Sequence, residues 1–220
     1  MYSLTDSGVY GQELKLLGVE VVSLHFSKYN FFMKIFNLTQ LLKEKNSDIT
    51  QTWLYHADLI GGVCAKIAKK NKIIWCVRNS HLKFSNSKAT TILIRLLCSM
   101  LSYFIPTKII YNSKYSKNIH EKLGYSKSKS VLIYNGFDQN LFKRSDSKKN
   151  ILKNNYGITQ NSIVFGFVAR YDKVKGYDLL FNTLKKYRAN KDDFKLIMIG
   201  DGLDENNSEL LSLISKNNLE

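Results

Sequence analysis

The chain has 220 residues, of which 44% are hydrophobic and 12% aromatic. That is enough apolar material for a core, which excludes a disordered chain, and the length allows one domain or two. The formal net charge of +15 points to anionic partners: polyanions, lipid headgroups or phosphorylated substrates. Only five of the 33 basic residues are arginine (78, 95, 144, 170 and 188), the residue that base-edge readout favours, so nucleic acid is not expected as a partner.

Residues 1–11 are polar and carry no apolar signal-peptide core. Cys64, Cys76 and Cys98 are an odd number at wide spacing with no C-x-x-C pair, which reads as reduced, buried thiols in a cytoplasmic protein without a metal site. "VEVVSLHF" (19–26) reads as a strand, and residues 31–45 as a helix with Phe31, Ile35, Leu38 and Leu42 on one face. A strand is expected at 49–55 and a helix at 58–70, with Asp58 in its first turn at the positive end of the helix dipole. Short apolar runs at 73–77, 108–111 and 131–134 read as buried strands. Helices are expected at 88–104 and 114–124, with Gly124 as a C-cap. "TTILIRLLCSMLSYFI" (90–105) is shorter than the ~20 residues of a spanning helix and carries Arg95, so it reads as a buried core helix.

Alternating strands and helices of these lengths imply βαβ units and a parallel sheet, which binds ligands at the carboxyl ends of its strands. Residues 143–162 are rich in Lys, Asn and Ser and read as a linker or domain entry. The alternation restarts with a strand at 163–169, a helix from about 177 to 190, a strand at 194–200 and a helix at about 208–216. Tyr177, Leu180, Leu184 and Tyr187 share one helix face. The organisation is therefore two α/β domains, 1–142 and 143–220.

Chemistry concentrates at strand ends. In "GFVARYDKVKGYDLL" (166–180), a strand delivers Arg170 to a loop in which Lys175 and Gly176 precede a helix N-terminus. An Arg fork, a Lys point charge and free helix N–H groups suit a diphosphate. On the residues alone, a solvated basic turn fits equally well. His56, Asn79 and His81 follow predicted strands, where His can orient or deprotonate a hydroxyl and Asn can bond to one; surface or structural roles fit them too. His25 and His120 read as structural or solvated.

"R-x4-K-G" after an apolar strand, preceded by "VLIYNGFDQNLF" (131–142) and followed by "LIMIGDG" (196–202), resembles glycosyltransferase family 4, the retaining enzymes of GT-B fold. "LLGVEVVSLHF" (16–26), "TWLYHADLIGG" (52–62), "IIWCVRNSH" (73–81) and "KIIYNSKYSKNIHEKLGY" (108–125) are similar to the amino-terminal Rossmann-like domain of its bacterial polysaccharide and lipopolysaccharide branch. The resemblance implies a GT-B pair of Rossmann-like parallel-sheet domains. It also implies a hexosyltransferase-type enzyme that moves a sugar from a nucleotide-diphosphate donor to a saccharide or lipid-linked acceptor in cell-surface polysaccharide synthesis, such as capsule or lipopolysaccharide.

By the same resemblance, Arg170 and Lys175 hold the donor diphosphate, and Gly200, Asp201 and Gly202 approach the donor. His56, Asn79 and His81 lie on the acceptor side. Relatives commonly carry a His where Arg78 stands, which makes Arg78 and His81 the candidates for that catalytic position. No metal or other cofactor is expected, and the location implied is cytoplasmic, with peripheral contact to anionic membrane. The start at "MYSLTDSG" matches a point beyond the family's first strand and glycine-rich turn, and its E-x7-E acidic pair has no counterpart through Glu220. Asp201 and Asp204 do not replace that pair on spacing. The expectation is thus a chain truncated at both ends and weak or inactive alone, with both domains incomplete. A GT-B sugar-nucleotide epimerase and a non-catalytic basic module for membranes or polyanions are the alternatives.

Overall fold

The computed structural model describes residues 1–79, 89–159, 162–190 and 194–219. Its contacts divide the chain into two compact units, Met1–Phe137 and Asp138–Glu220.

The first unit opens with β1 (Tyr2–Ser3), α1 (Gly11–Leu16) and β2 (Val22–Ser23), and β1 and β2 pair in parallel. Neither β1 nor α1 is expected from composition, because both are too short to show a period. The expected strand 19–26 contracts to β2, since its two-residue partner limits the ladder. Next come α2 (Phe31–Glu44), β3 (Thr50–Trp53), α3 (Tyr55–Ile67), β4 (Ile73–Val77), α4 (Ala89–Leu101), β5 (Lys108–Tyr111), α5 (Lys114–Lys122) and β6 (Ser130–Leu132). Strands β3 to β6 form a parallel sheet in sequence order, so their carboxyl ends share one edge.

The core of this unit lies on that sheet. Ile73, Trp75, Val77, Ile109 and Tyr111 are almost fully buried, and α3 packs between α2 and α4 to cover β3 and β4. Each buried aliphatic side chain contributes about 1.5–3 kcal/mol. The three cysteines are free and buried. Helix α5 ends as expected: past Gly124, the Tyr125 N–H reaches back to the His120 carbonyl at 3.0 Å.

Several expectations need correction here. Helix α3 starts three residues before Asp58, earlier than expected; Asp58 keeps its place in the first turn, with its carboxyl fully buried. The Thr52 Oγ1 hydroxyl donates to Asp58 Oδ1 at 2.6 Å, while Oδ2 has no hydrogen-bond partner among the described residues. Burial pushes the Asp58 pKa up to about 7, against the smaller lowering effects of the Thr52 bond and the Cys76 backbone. Helix α4 is half-buried and not a core helix. Cys98 and Ser99 face inward, while Leu93, Leu96 and Met100 are exposed, because the helix packs against α3 along one stripe. No helix among the described residues is long and apolar enough to cross a membrane. The apolar run 131–134 is only partly a strand: β6 stops at Leu132, and Ile133 and Tyr134 are exposed.

Buried polar groups are tied together beneath the sheet edge. His120 Nδ1 lies 2.7 Å from the Ser116 carbonyl, which can only accept, so Nδ1 carries the proton and Nε2 accepts from the Tyr55 hydroxyl at 2.6 Å. His120 is structural, one of the two roles expected of it, and burial lowers its pKa.

The second unit holds α6 (Asp146–Asn155), β7 (Ile163–Val168), α7 (Tyr177–Asn190), β8 (Phe194–Ile199) and α8 (Ser208–Lys216). Within the stretch 143–162, expected as a linker or domain entry, Asp146–Asn155 folds as α6, because Ser145 caps it by accepting from the Lys148 N–H at 3.3 Å. The composition change at 143 therefore lies inside this unit, whose boundary falls at 137/138. There Asp138 folds a local turn, accepting through its side chain from the Asn140 N–H and through its carbonyl from the Phe142 N–H. Strands β7 and β8 pair in parallel from Ile163↔Phe194 to Val168↔Ile199. Tyr177, Phe181, Leu184 and Leu210 are buried, with Phe167, Leu196 and Met198 packed against this core. The strands are not buried on both faces: Val168 and Ile199 are exposed.

Candidate functional site

At the carboxyl ends of β7 and β8 the two chains stay side by side beyond the strands. The Ala169 N–H donates to the Ile199 carbonyl at 2.9 Å, and the Tyr171 N–H to the Asp201 carbonyl at 2.7 Å. This places Arg170 against residues 200–202. Gly200 makes the approach possible: a Cβ there would sit 2.1 Å from the Ala169 carbonyl oxygen and 2.8 Å from the Arg170 nitrogen. The Asn207 side chain holds the Gly202 carbonyl at 2.6 Å and accepts from the Leu210 N–H at the start of α8. Asp201 is exposed.

The loop from Arg170 to Gly176 is built around Asp172, which the sequence reading did not single out. Asp172 Oδ1 accepts from the Val174 N–H at 3.1 Å, and Oδ2 accepts from Arg170 Nη2 at 3.0 Å. The Val174 backbone bond, then the Arg170 bond, and then the Arg170 and Lys175 charges hold the Asp172 carboxyl below its usual range. Arg170 and Lys175 thus act on one carboxylate. Both are exposed, and a single tight turn (Lys173–Lys175) separates Lys175 from Asp172. Gly176 follows with φ +76°, a left-handed step that turns the chain into α7. Tyr177, the first residue of α7, donates its hydroxyl to the Ala169 carbonyl at 2.7 Å and so pins the helix start to the strand end. Chemically this is an exposed cationic loop at a sheet rim, with a helix N-terminus beside it and one internal anion spacing its charges. An R-x-D pattern inside the loop was the available signal for that anion.

The first unit carries a separate feature at the carboxyl edge of β3–β6. A depression of ≈ 560 Å³ is lined by residues that include Gln51, Trp53, Arg78, Tyr134, Asn135 and Phe137. The Arg78 guanidinium carbon lies 4.6 Å from the centre of the Trp53 ring, and Nη1 donates to Asn135 Oδ1. Of the acceptor-side and catalytic candidates, Arg78 stands in this depression. Asn79 is half-buried, and its backbone carbonyl accepts from Ser116 Oγ at 2.8 Å, so its main chain ties the strand end to α5. His56 is exposed as the second residue of α3 and does not line the depression. His81 lies outside the described residues. Trp53 and Asn135, the two partners of Arg78, entered the sequence reading only as parts of segments that resemble the family. Among the described residues, no three His, Cys, Asp or Glu side chains cluster as metal ligands.

Both features sit where parallel α/β sheets place ligands. Residues 148–219 match the family model "Glycosyl transferases group 1". That stretch contains the Arg170–Gly176 loop and residues 200–202. The chain is also 30% identical over 185 residues to the O-antigen biosynthesis glycosyltransferase WclY of Escherichia coli, across 81% of this chain and 49% of that protein. It is 33% identical over 89 residues to an uncharacterised 41.2 kDa protein in the cps region of Klebsiella pneumoniae, across 40% of this chain and 24% of the other. The chain spans about half or less of the length of these curated relatives.

Among solved structures, Anabaena HepE in complex with UDP and glucose superposes with a TM-score of 0.76 at 21% identity, over 98% of this chain and 58% of that one. A glycosyltransferase from Rickettsia africae ESF-5 superposes with a TM-score of 0.69 at 19% identity, over 96% of this chain and 55% of that one. At these identities the likeness is one of fold. It establishes the α/β, GT-B architecture of parallel-sheet units expected from the sequence.

Proposed function

We propose that this protein is a family 4 glycosyltransferase of hexosyltransferase type. In this reading it moves a sugar, with retention, from a nucleotide-diphosphate donor to a saccharide or lipid-linked acceptor in cell-surface polysaccharide synthesis. The observation that carries the proposal is the Arg170–Gly176 loop lying against residues 200–202 at the carboxyl ends of β7 and β8, inside the stretch that matches the family model. The relationship to an O-antigen glycosyltransferase and the UDP held by the HepE structure support it.

When the glycosidic bond to the nucleotide breaks, negative charge grows on the leaving diphosphate, and groups already oriented toward it stabilise the transition state most. Arg170 supplies a planar fork and Lys175 a mobile point charge, and the proposal assigns both to the diphosphate. Gly200, Asp201 and Gly202 line the approach to the donor. With two side-chain cations in place, the proposed reaction needs no metal. The setting proposed is the cytoplasm, at the inner face of the membrane, where Lys and Arg near anionic lipid contribute about 1 kcal/mol each.

Calorimetric titration of the chain with UDP and with GDP tests the donor site. Arg170→Ala and Lys175→Ala are each expected to weaken nucleotide binding roughly tenfold or more, the scale of a hydrogen bond to a charged group. Unchanged affinity in both variants, or no binding by the parent chain, would overturn the proposal.

A further inference from the structure

We propose that the depression at the carboxyl edge of β3–β6 binds a saccharide through an anionic substituent, a carboxylate or a phosphate, with Arg78 as the recognition residue and Trp53 as its platform. Calling this saccharide the acceptor rests on the transferase reading above.

The first argument is charge. Among the described residues no carboxylate lies within 4.0 Å of the Arg78 guanidinium; its partners are the neutral Asn135 amide and the face of Trp53. The stretch that follows, 80–88, contains no Asp or Glu. Arg170, by contrast, is paired with Asp172. A guanidinium presents five N–H donors in a rigid plane. Here Nη1 is engaged by Asn135 and the plane is braced by an aromatic ring, so among the described residues the fork is oriented without being neutralised. Such an arrangement selects a planar or tetrahedral oxyanion over a neutral hydroxyl, because only the oxyanion adds Coulomb attraction to the hydrogen bonds and can take two parallel N–H groups of the fork.

The second argument is the lining. Trp53 and Tyr134 are 52% and 60% exposed at the depression, so two aromatic side chains are open to a ligand. Aromatic side chains combine apolar area with, in Trp and Tyr, a polar edge, which suits the apolar faces and hydroxyl rim of a sugar ring. The volume of ≈ 560 Å³ falls within the range of small-ligand sites, ~300–1,000 Å³. An arginine serving only to brace the chain after β6 would require neither open aromatic faces nor an uncompensated charge.

The two tryptophans make the test direct. Trp53 lines the depression and Trp75 is fully buried, so the two indole N–H signals of the ¹⁵N-labelled chain separate the site from the core, with Trp53→Phe assigning them. The chain is titrated with methyl glucuronide, glucose 6-phosphate and methyl glucoside. One or both anionic sugars are expected to shift the Trp53 signal, more weakly as salt is raised, while the neutral glucoside at the same concentrations leaves it in place. The relative strength of the two anions tells carboxylate from phosphate. Arg78→Gln is expected to weaken the response roughly 10- to 100-fold and Arg78→Lys to retain part of it.

A glucoside that binds as well as the anions, or an Arg78→Gln chain with native circular dichroism and unchanged binding, overturns the inference. If Arg78→Gln fails to fold, the comparison of charged and neutral sugars on the parent chain decides alone. UDP titration of the same sample separates the two proposals. UDP bound with neither anionic sugar bound sinks only the pocket assignment; an anionic sugar bound at Trp53 with no UDP binding sinks the transferase reading and leaves the pocket.

Discussion

Asp58→Asn gives a test of the first unit whose size follows from one buried carboxyl. The side chain is 0% exposed, bonded through Oδ1 to Thr52, and its pKa is pushed by burial from 3.8 to about 7. The folded state therefore holds a proton that the unfolded chain releases above pH 3.8. Below that pH the group costs nothing. As pH rises toward 7 the folded chain must carry a neutral acid, or finally a buried anion, that the unfolded chain leaves solvated, so stability falls and then levels off. A displacement of about three pKa units corresponds to about 4 kcal/mol of lost stability above pH 7, and to about 3 kcal/mol between pH 5 and pH 8. Asparagine keeps the shape and the acceptor for Thr52 while removing the titration. Both tryptophans lie in this unit, so urea unfolding followed by their fluorescence reports it specifically. The difference in stability between Asp58→Asn and the parent chain should grow in the variant's favour by about 3 kcal/mol from pH 5 to pH 8. Taking the difference cancels His120, whose lowered pKa removes stability in the opposite direction, as pH falls below the ordinary histidine range. A difference that stays level across that window would refute the reasoning.

Three further outcomes are expected. Tyr55→Phe leaves His120 Nε2 buried without its donor and should cost about 1–3 kcal/mol in the same urea assay. Gly200→Ala forces the β8 end away from Ala169 and Arg170, so UDP binding should be lost by calorimetry, with the first unit's tryptophan transition unchanged. Asp172→Asn keeps the Val174 cap and removes the anion that shares Arg170 with any phosphate, so UDP should bind several-fold more tightly; weaker binding would mean that the carboxylate aims the guanidinium.

Several elements could be read directly because their periods were long or their apolar runs dense. β4, β5, α7 and α8 stand where the pattern puts them, and Tyr177 and Leu184 share the buried face expected of α7. Elements governed by pairing or capping could not be read this way. β1 exists by pairing with β2, and α6 starts where the Ser145 hydroxyl caps a polar stretch. At the sites, Arg170 and residues 200–202 were legible as strand-end motifs. Their contact, the Asp172 counter-charge, and the grouping of Arg78 with Trp53 and Asn135 were not, since those partners come from neighbouring strand ends or from a turn geometry that spacing does not reveal.

What the amino-acid order determined by itself is therefore the local chemistry: which segments are strands and helices, and which cations follow a strand. Local pattern suffices there because side-chain period and turn residues act over a few positions. Only the tertiary structure decided which groups are neutralised and which are left open. It buried Asp58, paired Arg170 with Asp172 and set Arg78 on an aromatic face with no carboxylate beside it among the described residues. Charge interactions depend on distance and burial, and parallel strands set both by bringing together residues far apart in the chain.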